Sequence, residues 1–303
     1  MAIKVPGALR GLQYVKETVY GVTPSTDFSY FGFMDALQDN PNNNWEEQQA
    51  DGKRSYDEVE IGAREYGFDT TLNIFRDAQG YDWSEILQYA VGSSVNGITD
   101  DLPSFSALMQ VSRDQFVLAK GCKIDSLTVA ADGVGSPITA RANIKAQYIP
   151  KQQASPSQFG NLGRQNEGPP KNTLTYNRYP TSNLPGMAMI PTKNFEISIT
   201  NNLQPQEGIV EMGGEYFPLT AGQGLIPDTT EFEIQFEVVS TSAYWDNLKT
   251  EGTKDFTISQ QIGNNKLTFH KCYLPGDDQP ARSQSVYDEQ ITIKAADLTW
   301  ERV

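Results

Sequence analysis

Histidine is almost missing from this chain of 303 residues. There is one, His270, and there are only two cysteines, Cys122 and Cys272. Two thiols are too few for a disulfide framework or a tetrahedral zinc site. Both stand inside apparent strands, where a buried free thiol is expected. Strand alternation places His270 on the same face as Cys272, but a cysteine–histidine nucleophile needs close approach and a third, orienting group. The flanking Phe269, Lys271 and Tyr273 outline no pocket. Basic residues are also scarce. Against 38 Asp+Glu there are 24 Lys+Arg, a net charge of −14, and no dense basic cluster breaks the pattern. A field of that sign repels phosphate, so ordinary DNA or RNA binding is disfavoured. No apolar run approaches the roughly 18 residues of a membrane span. The opening Met1–Gly7 lacks the apolar core of a secretory signal, which points to synthesis in the cytosol.

Other chemistry is missing too. There is no P-loop, no GxGxxG and no EF-hand spacing. The carboxylate pairs Glu46-Glu47, Asp100-Asp101 and Asp277-Asp278 fall in turn-like segments, where solvation accounts for them. Gly133-Val134-Gly135 and Gly222-Gln223-Gly224 lack the strand–turn–helix setting of a phosphate cradle. No catalytic, cofactor-binding or metal-ligating residue is assigned, no cofactor is expected, and the chain does not read as an enzyme.

What is present is strand-forming sequence. Hydrophobic residues make up 38% of the chain, enough for a large core, with 14 Phe, 14 Tyr and 4 Trp. Aromatic and β-branched residues suit a pleated, half-buried surface, and 25 Gly and 17 Pro supply turns between short strands. Phe195–Thr200, Phe232–Val238 and Gln290–Lys294 alternate apolar with polar residues. This period of two puts one face on a core and the other against water or a partner.

The chain also repeats itself. Cys122 and Cys272 lie 150 residues apart in similar strands, and Ile144-Lys145-Ala146 recurs 149 residues on as Ile293-Lys294-Ala295. The strand Tyr66–Phe75 leads to Tyr81-Asp82-Trp83, as Thr230–Val239 leads to Ala243-Tyr244-Trp245. The shared order (alternating strand, short aromatic-led helix, strand, cysteine strand, final strand) points to a tandem duplication. Asp82 is the predicted N-cap of the first helix, with Glu85 three residues on and Gly92 as the stop. Ser242 and Gly252 bound the second, and each helix is expected to close one end of a β-sandwich. Residues 150–187, rich in Pro, Gly, Asn, Gln and Ser, read as a linker or extended arm. The expected organisation is residues 1–149 as a first β domain with an N-terminal arm, then this segment, then 188–303 as a second β domain. Asp39-Asn40-Pro41-Asn42-Asn43-Asn44-Trp45 is a second loop-like stretch, whose Trp45 is either a core anchor or a contact to a neighbouring subunit.

Lys16-Glu17-Thr18-Val19-Tyr20-Gly21-Val22-Thr23-Pro24 resembles the start of major tail tube proteins of long-tailed phages and archaeal tailed viruses, with their Glu-Thr-x-Tyr-Gly-x-x-Pro pattern. Phe195–Leu203, ending Asn201-Asn202-Leu203, and Gly121–Val129 resemble further strands of that family. The resemblance implies a mainly β fold of two tandem tube-like β-sandwich or half-barrel domains, each with one short helix, that contribute strands to a ring-shaped barrel. It implies a virion protein of the viral tail that self-assembles into rings stacked as a hollow tube. Other tail proteins sit at the ends, DNA slides through without specific binding, and no membrane is involved. Such rings are usually six-fold. A duplicated chain is expected to form a homotrimer with pseudo-six-fold symmetry, a homohexamer being the alternative. The acidic balance suits a lumen whose acidic residues outnumber basic ones. The N-terminal arm, residues 39–56 and residues 150–187 are candidates for ring-to-ring contacts. Other readings are a tail terminator, distal tail or decoration protein, and a soluble ligand-binding β-sandwich using exposed aromatics such as Trp45 and Trp300.

Overall fold

The structure is a computed structural model. It describes residues 12–25, 28–30, 33–39, 42–48, 58–74, 83–92, 102–112, 115–149, 174–184, 188–205, 209–212, 215–218, 224–239, 254–275 and 288–303. The first half carries β1 (Leu12–Lys16), β2 (Ser29–Tyr30), β3 (Phe33–Asp39), β4 (Asn42–Gln48), β5 (Glu58–Asn73), α1 (Ser84–Val91), β6 (Phe105–Ser112), β7 (Gln115–Ala131) and β8 (Thr139–Ala146). After these come β9 (Thr181–Ser182), β10 (Thr192–Thr200), β11 (Leu203–Pro205), β12 (Ile209–Met212), β13 (Glu215–Pro218) and β14 (Leu225–Pro227). The chain continues through β15 (Glu231–Val239), β16 (Lys254–Ile262), β17 (Asn265–Tyr273), β18 (Asp288–Ala295) and β19 (Asp297–Arg302). The mainly β expectation is met.

Fifteen strands join one antiparallel sheet. Its centre runs β3-β5-β8-β7-β10-β15-β18, so the two halves meet where β7 pairs with β10. The front of β7 carries β6, then β1 and β2, while beyond β18 come β17, β16 and β9, with β19 along β17. Two ribbons, β11–β14 and β12–β13, stand apart. The sheet of one chain is open, not a closed barrel.

Alternation explains where the core lies. In β10, Phe195, Ile197 and Ile199 are buried, as are Phe232, Ile234 and Phe236 in β15 and Ile291 and Ile293 in β18. They join one cluster with Leu127 and Val129 of β7, Ala142 and Ile144 of β8, and Phe68 and Leu72 of β5. Each such side chain contributes about 1.5–3 kcal/mol on leaving water. The helix adds Ile86, Leu87, Tyr89, Ala90 and Val91. Trp83 reaches the other half, its indole N–H donating to the Ile262 carbonyl (3.2 Å).

The strand pairings of one half recur in the other in matching register. Phe105 opposes Cys122 and Ala107 opposes Ala119, as Phe256 opposes Cys272 and Ile258 opposes Phe269. Both pairs slip at the same place, and the extra residue is left-handed each time, Gly121 at φ 60° and Lys271 at φ 51°. Phe68–Ile144 matches Ile234–Ile293, and Lys123–Lys145 matches Tyr273–Lys294. Leu37–Thr70 matches Phe195–Phe236, and Tyr14–Ala107 matches Ser182–Ile258. The ribbons follow suit: Trp45–Ile61 and Glu47–Val59 match Leu203–Pro227 and Pro205–Leu225.

Several expectations need correction. The Asn-rich stretch 39–45 is not a loop: β3 ends at Asp39 and β4 begins at Asn42. Glu46 and Glu47 thus sit in a strand, because pairing with β5 overrides the low β-propensity of asparagine. The N-cap of α1 is Trp83, and no side chain caps it. Gly92 does end the helix, at φ 90° with its N–H on the Gln88 carbonyl (2.9 Å). The bulge at Lys271 interrupts alternation, so Cys272 is buried while His270 lies on the opposite side, bonded to Thr299 (2.8 Å). Asp82, the second helix, Asp100-Asp101, Gly222-Gln223, Asp277-Asp278 and residues 150–173 and 185–187 lie outside the described residues, as does the side chain of Trp45.

Candidate assembly surface and channel wall

The central sheet has one apolar face, turned to the core, and one polar face. On the polar face the described side chains of β5, β7, β8, β10, β15 and β18 include no aromatic residue and no aliphatic one larger than Ala130. Polar pairs, three of them between strands and one along β15, knit it together. Asn143 Nδ2 donates to Asp69 (2.6 Å), Gln235 Nε2 to Glu233 (2.6 Å), Gln290 Nε2 to Gln235 (2.9 Å) and Asn194 Nδ2 to Glu237 (2.9 Å). The face carries Asp69, Asp125, Glu196, Glu231, Glu233 and Glu237 against Arg141, Lys145, Lys193 and Lys294, with a fifth cation, Lys123, buried beside Lys145 at one end. Short polar side chains and a modest acidic excess make a wall that is wetted and offers few cations to phosphate.

At one end of this wall the second half's ribbon is fastened to the first half. Lys123, 2% exposed, donates to the Leu225 carbonyl (2.8 Å) and stands 5.4 Å from the centre of the Tyr20 ring. Lys145 donates to the Leu203 carbonyl (2.8 Å) and pairs with Asp125 (3.4 Å), whose Oδ1 accepts the Leu203 N–H (2.7 Å). Gly224 permits the approach of Tyr20, since a Cβ there would lie 2.2 Å from the ring. Beside the ribbon, the fully buried Asn201 donates to the Ala90 and Ile124 carbonyls (2.9 Å each) and accepts from Thr230 (3.1 Å).

The N-terminal motif has a structural role. Glu17, 6% exposed, accepts from four donors: the Gly21 N–H (2.8 Å), the Ser104 hydroxyl (2.8 Å), the Ser106 hydroxyl (2.6 Å) and the Gly121 N–H (2.9 Å). One carboxylate thereby ties the turn after β1 to β6 and to the β7 bulge. Sequence reading quoted Glu17, Lys123, Lys145 and Asn201 only as parts of motifs and missed what each of them holds. The available signal was a lysine set between Cys122 and Ile124, two residues that a strand buries.

Nothing here is arranged for reaction. Burial pushes the Cys122 thiol well above its ordinary value, with Glu17 adding to the effect, and raises Cys272 to about 11. Both are buried free thiols, as expected. Among the described residues, no three His, Cys, Asp or Glu side chains gather to hold a metal, and no helix is long and apolar enough to cross a membrane. Gly133–Gly135 forms the tight turn between β7 and β8. Trp300 packs partly buried against the core, so it offers no open platform.

The family described as phage tail tube protein matches residues 7–301, nearly the whole chain. The chain belongs to that family. It is a structural family of the virion, not a family of enzymes. No curated protein matches the chain.

Proposed function

We propose that this tail tube protein polymerises as stacked rings into the hollow conduit through which viral DNA leaves the capsid, and that the polar face of the central sheet lines the lumen. The observation that carries the reading is the continuous seven-strand sheet with one dry face and one polar face. A sheet wetted on one side and ended by open edges joins its copies edge to edge. Rings then stack through a heterologous contact that does not close.

The matched registers support a tandem duplication, with residues 1–149 and 188–303 as the two units. Each unit fills one position of a six-fold ring, so that three chains complete it. Residues 174–184 fit an arm joining the units. Leu174 donates to the Ile74 carbonyl (2.8 Å), Tyr176 to that of Ser136 (3.0 Å), and β9 pairs with β16. A long-tailed phage or archaeal virus is the source we favour, with other tail proteins at the tube ends and DNA passing without specific binding. Electron microscopy of the concentrated protein with native mass measurement of isolated rings tests this. Hollow tubes from three-chain rings are expected. Six chains per ring would overturn the pseudo-six-fold arrangement, and single rings that never stack would indicate a terminator or distal tail protein.

A further inference from the structure

The two lysines that hold the β11–β14 ribbon have register counterparts in the second half, Tyr273 for Lys123 and Lys294 for Lys145. Their surroundings differ. Lys123 is 2% exposed beneath the ribbon, whereas Tyr273 is 41% exposed. The ribbon also has a counterpart in the first half, Trp45–Glu47 paired with Val59–Ile61. Both partial slips in the strands leading to it are shared. The extra residue between β3 positions Met34 and Ala36 corresponds to that between Thr192 and Asn194, and the slip between Asn43 and Trp45 corresponds to left-handed Asn202, at φ 47°.

Within the chain, then, the second ribbon sits on the first half's lysines, while among the described residues no ribbon covers Tyr273 and Lys294. The first ribbon cannot reach it in the same chain, because β8, β7, β10 and β15 separate β5 from β18. We propose that Tyr273 and Lys294 form a docking surface for the ribbon of a second copy of this chain in which Trp45–Glu47 pairs with Val59–Ile61. Lys294 donates to the main-chain carbonyl of Trp45 as Lys145 does to that of Leu203. The Tyr273 hydroxyl takes the place of the Lys123 ammonium opposite the Val59 carbonyl. The contact is head to tail, since the ribbon and its docking surface lie on different halves, and it repeats around a ring. An aromatic with a polar tip suits such a half-wet interface. This inference rests on the self-assembly proposed above and specifies which surfaces meet.

The test replaces Tyr273 with the photocrosslinker p-benzoylphenylalanine in the full chain, assembles rings, irradiates them and maps the linked peptides. Links between chains joining position 273 to a peptide within residues 42–65 are expected. In parallel, Lys294→Glu is expected to raise the concentration needed for assembly at least tenfold while the thermal midpoint of the unassembled chain stays unchanged. Rings that form but link position 273 elsewhere, or that tolerate Lys294→Glu, would overturn the docking surface and leave the tube reading standing. Wild-type protein that forms no rings at any concentration would remove both.

Discussion

The two halves share strand order, register and bulges, yet they solve the same local problem differently. At the bulge of β7, the first half uses Gly121, whose N–H is held by the buried Glu17. At the matching bulge of β17, the second half uses exposed Lys271, a side-chain-bearing residue at φ 51°. One bulge is locked inside a hydrogen-bonded knot and packed against Tyr20 and Gln147. The other lies open next to Tyr273. Equal backbones with unequal cover teach that the pairing pattern sets the fold, whereas the side chains added to it set which surface is finished inside the chain and which is left for assembly.

The largest effect that separates the halves is expected at Glu17. Glu17→Ala leaves four donors without their acceptor and is expected to cost roughly 3–5 kcal/mol in urea unfolding. A cost under about 1 kcal/mol would mean that water replaces the carboxylate and that the knot is incidental. Next come the bulges themselves. Gly121→Ala places a Cβ 2.7 Å from Gln147 Cβ and 2.9 Å from the Tyr20 ring at φ 60°, and is expected to destabilise by about 2–3 kcal/mol. Lys271→Gly relieves a left-handed residue and is expected to stabilise by up to about 1 kcal/mol. Effects of equal sign would break the comparison.

The lysine pair sharpens it further. Lys145→Ala is expected to cost about 1–2 kcal/mol in the isolated chain, and Lys294→Ala close to nothing there, its effect emerging only in sedimentation of assembled rings. The smallest contrast concerns the thiols, buried alike in both halves. For each, the folded value is raised above the unfolded one, so the fold favours the neutral thiol. Its contribution is complete below about pH 9 and is lost as pH rises, for Cys272 through about 11. Alkylation by iodoacetamide at pH 8 is expected to be negligible until the chain unfolds. Rapid labelling of one cysteine alone would reveal a loose half.

Much of this was readable beforehand where alternation is strong. The core faces of β10, β15 and β18 follow from Phe195-Glu196-Ile197 and its like, because only one face of a half-buried strand is dry. The matching registers of the two halves left traces at Cys122 and Cys272 for the same reason. What escaped has physical causes. Position 271 carries lysine, so composition gives no sign of a left-handed bulge, and the face of His270 was misjudged by one residue. The Asn-rich run 42–45 looked like a loop because asparagine favours turns, although Asn43-Asn44-Trp45 stands where Asn201-Asn202-Leu203 stands in the second half. The short β9, two residues long, carries no period at all, and the Glu17 knot depends on donors drawn from positions 21, 104, 106 and 121 that only folding brings together.

The lysine grip on the ribbon has a consequence for how the chain can change over generations. Lys123 and Lys145 bind main-chain carbonyls, at Leu225 and Leu203, and a carbonyl is present whichever residue stands there. Substitutions that keep positions 203 and 225 apolar and leave Gly224 open to Tyr20 keep those two bonds standing, while the two lysines must keep both their charge and their place in the register. Divergence at the gripped carbonyls is absorbed by the ribbon side of the contact, whose own limits come from burial and from Tyr20 rather than from the lysines.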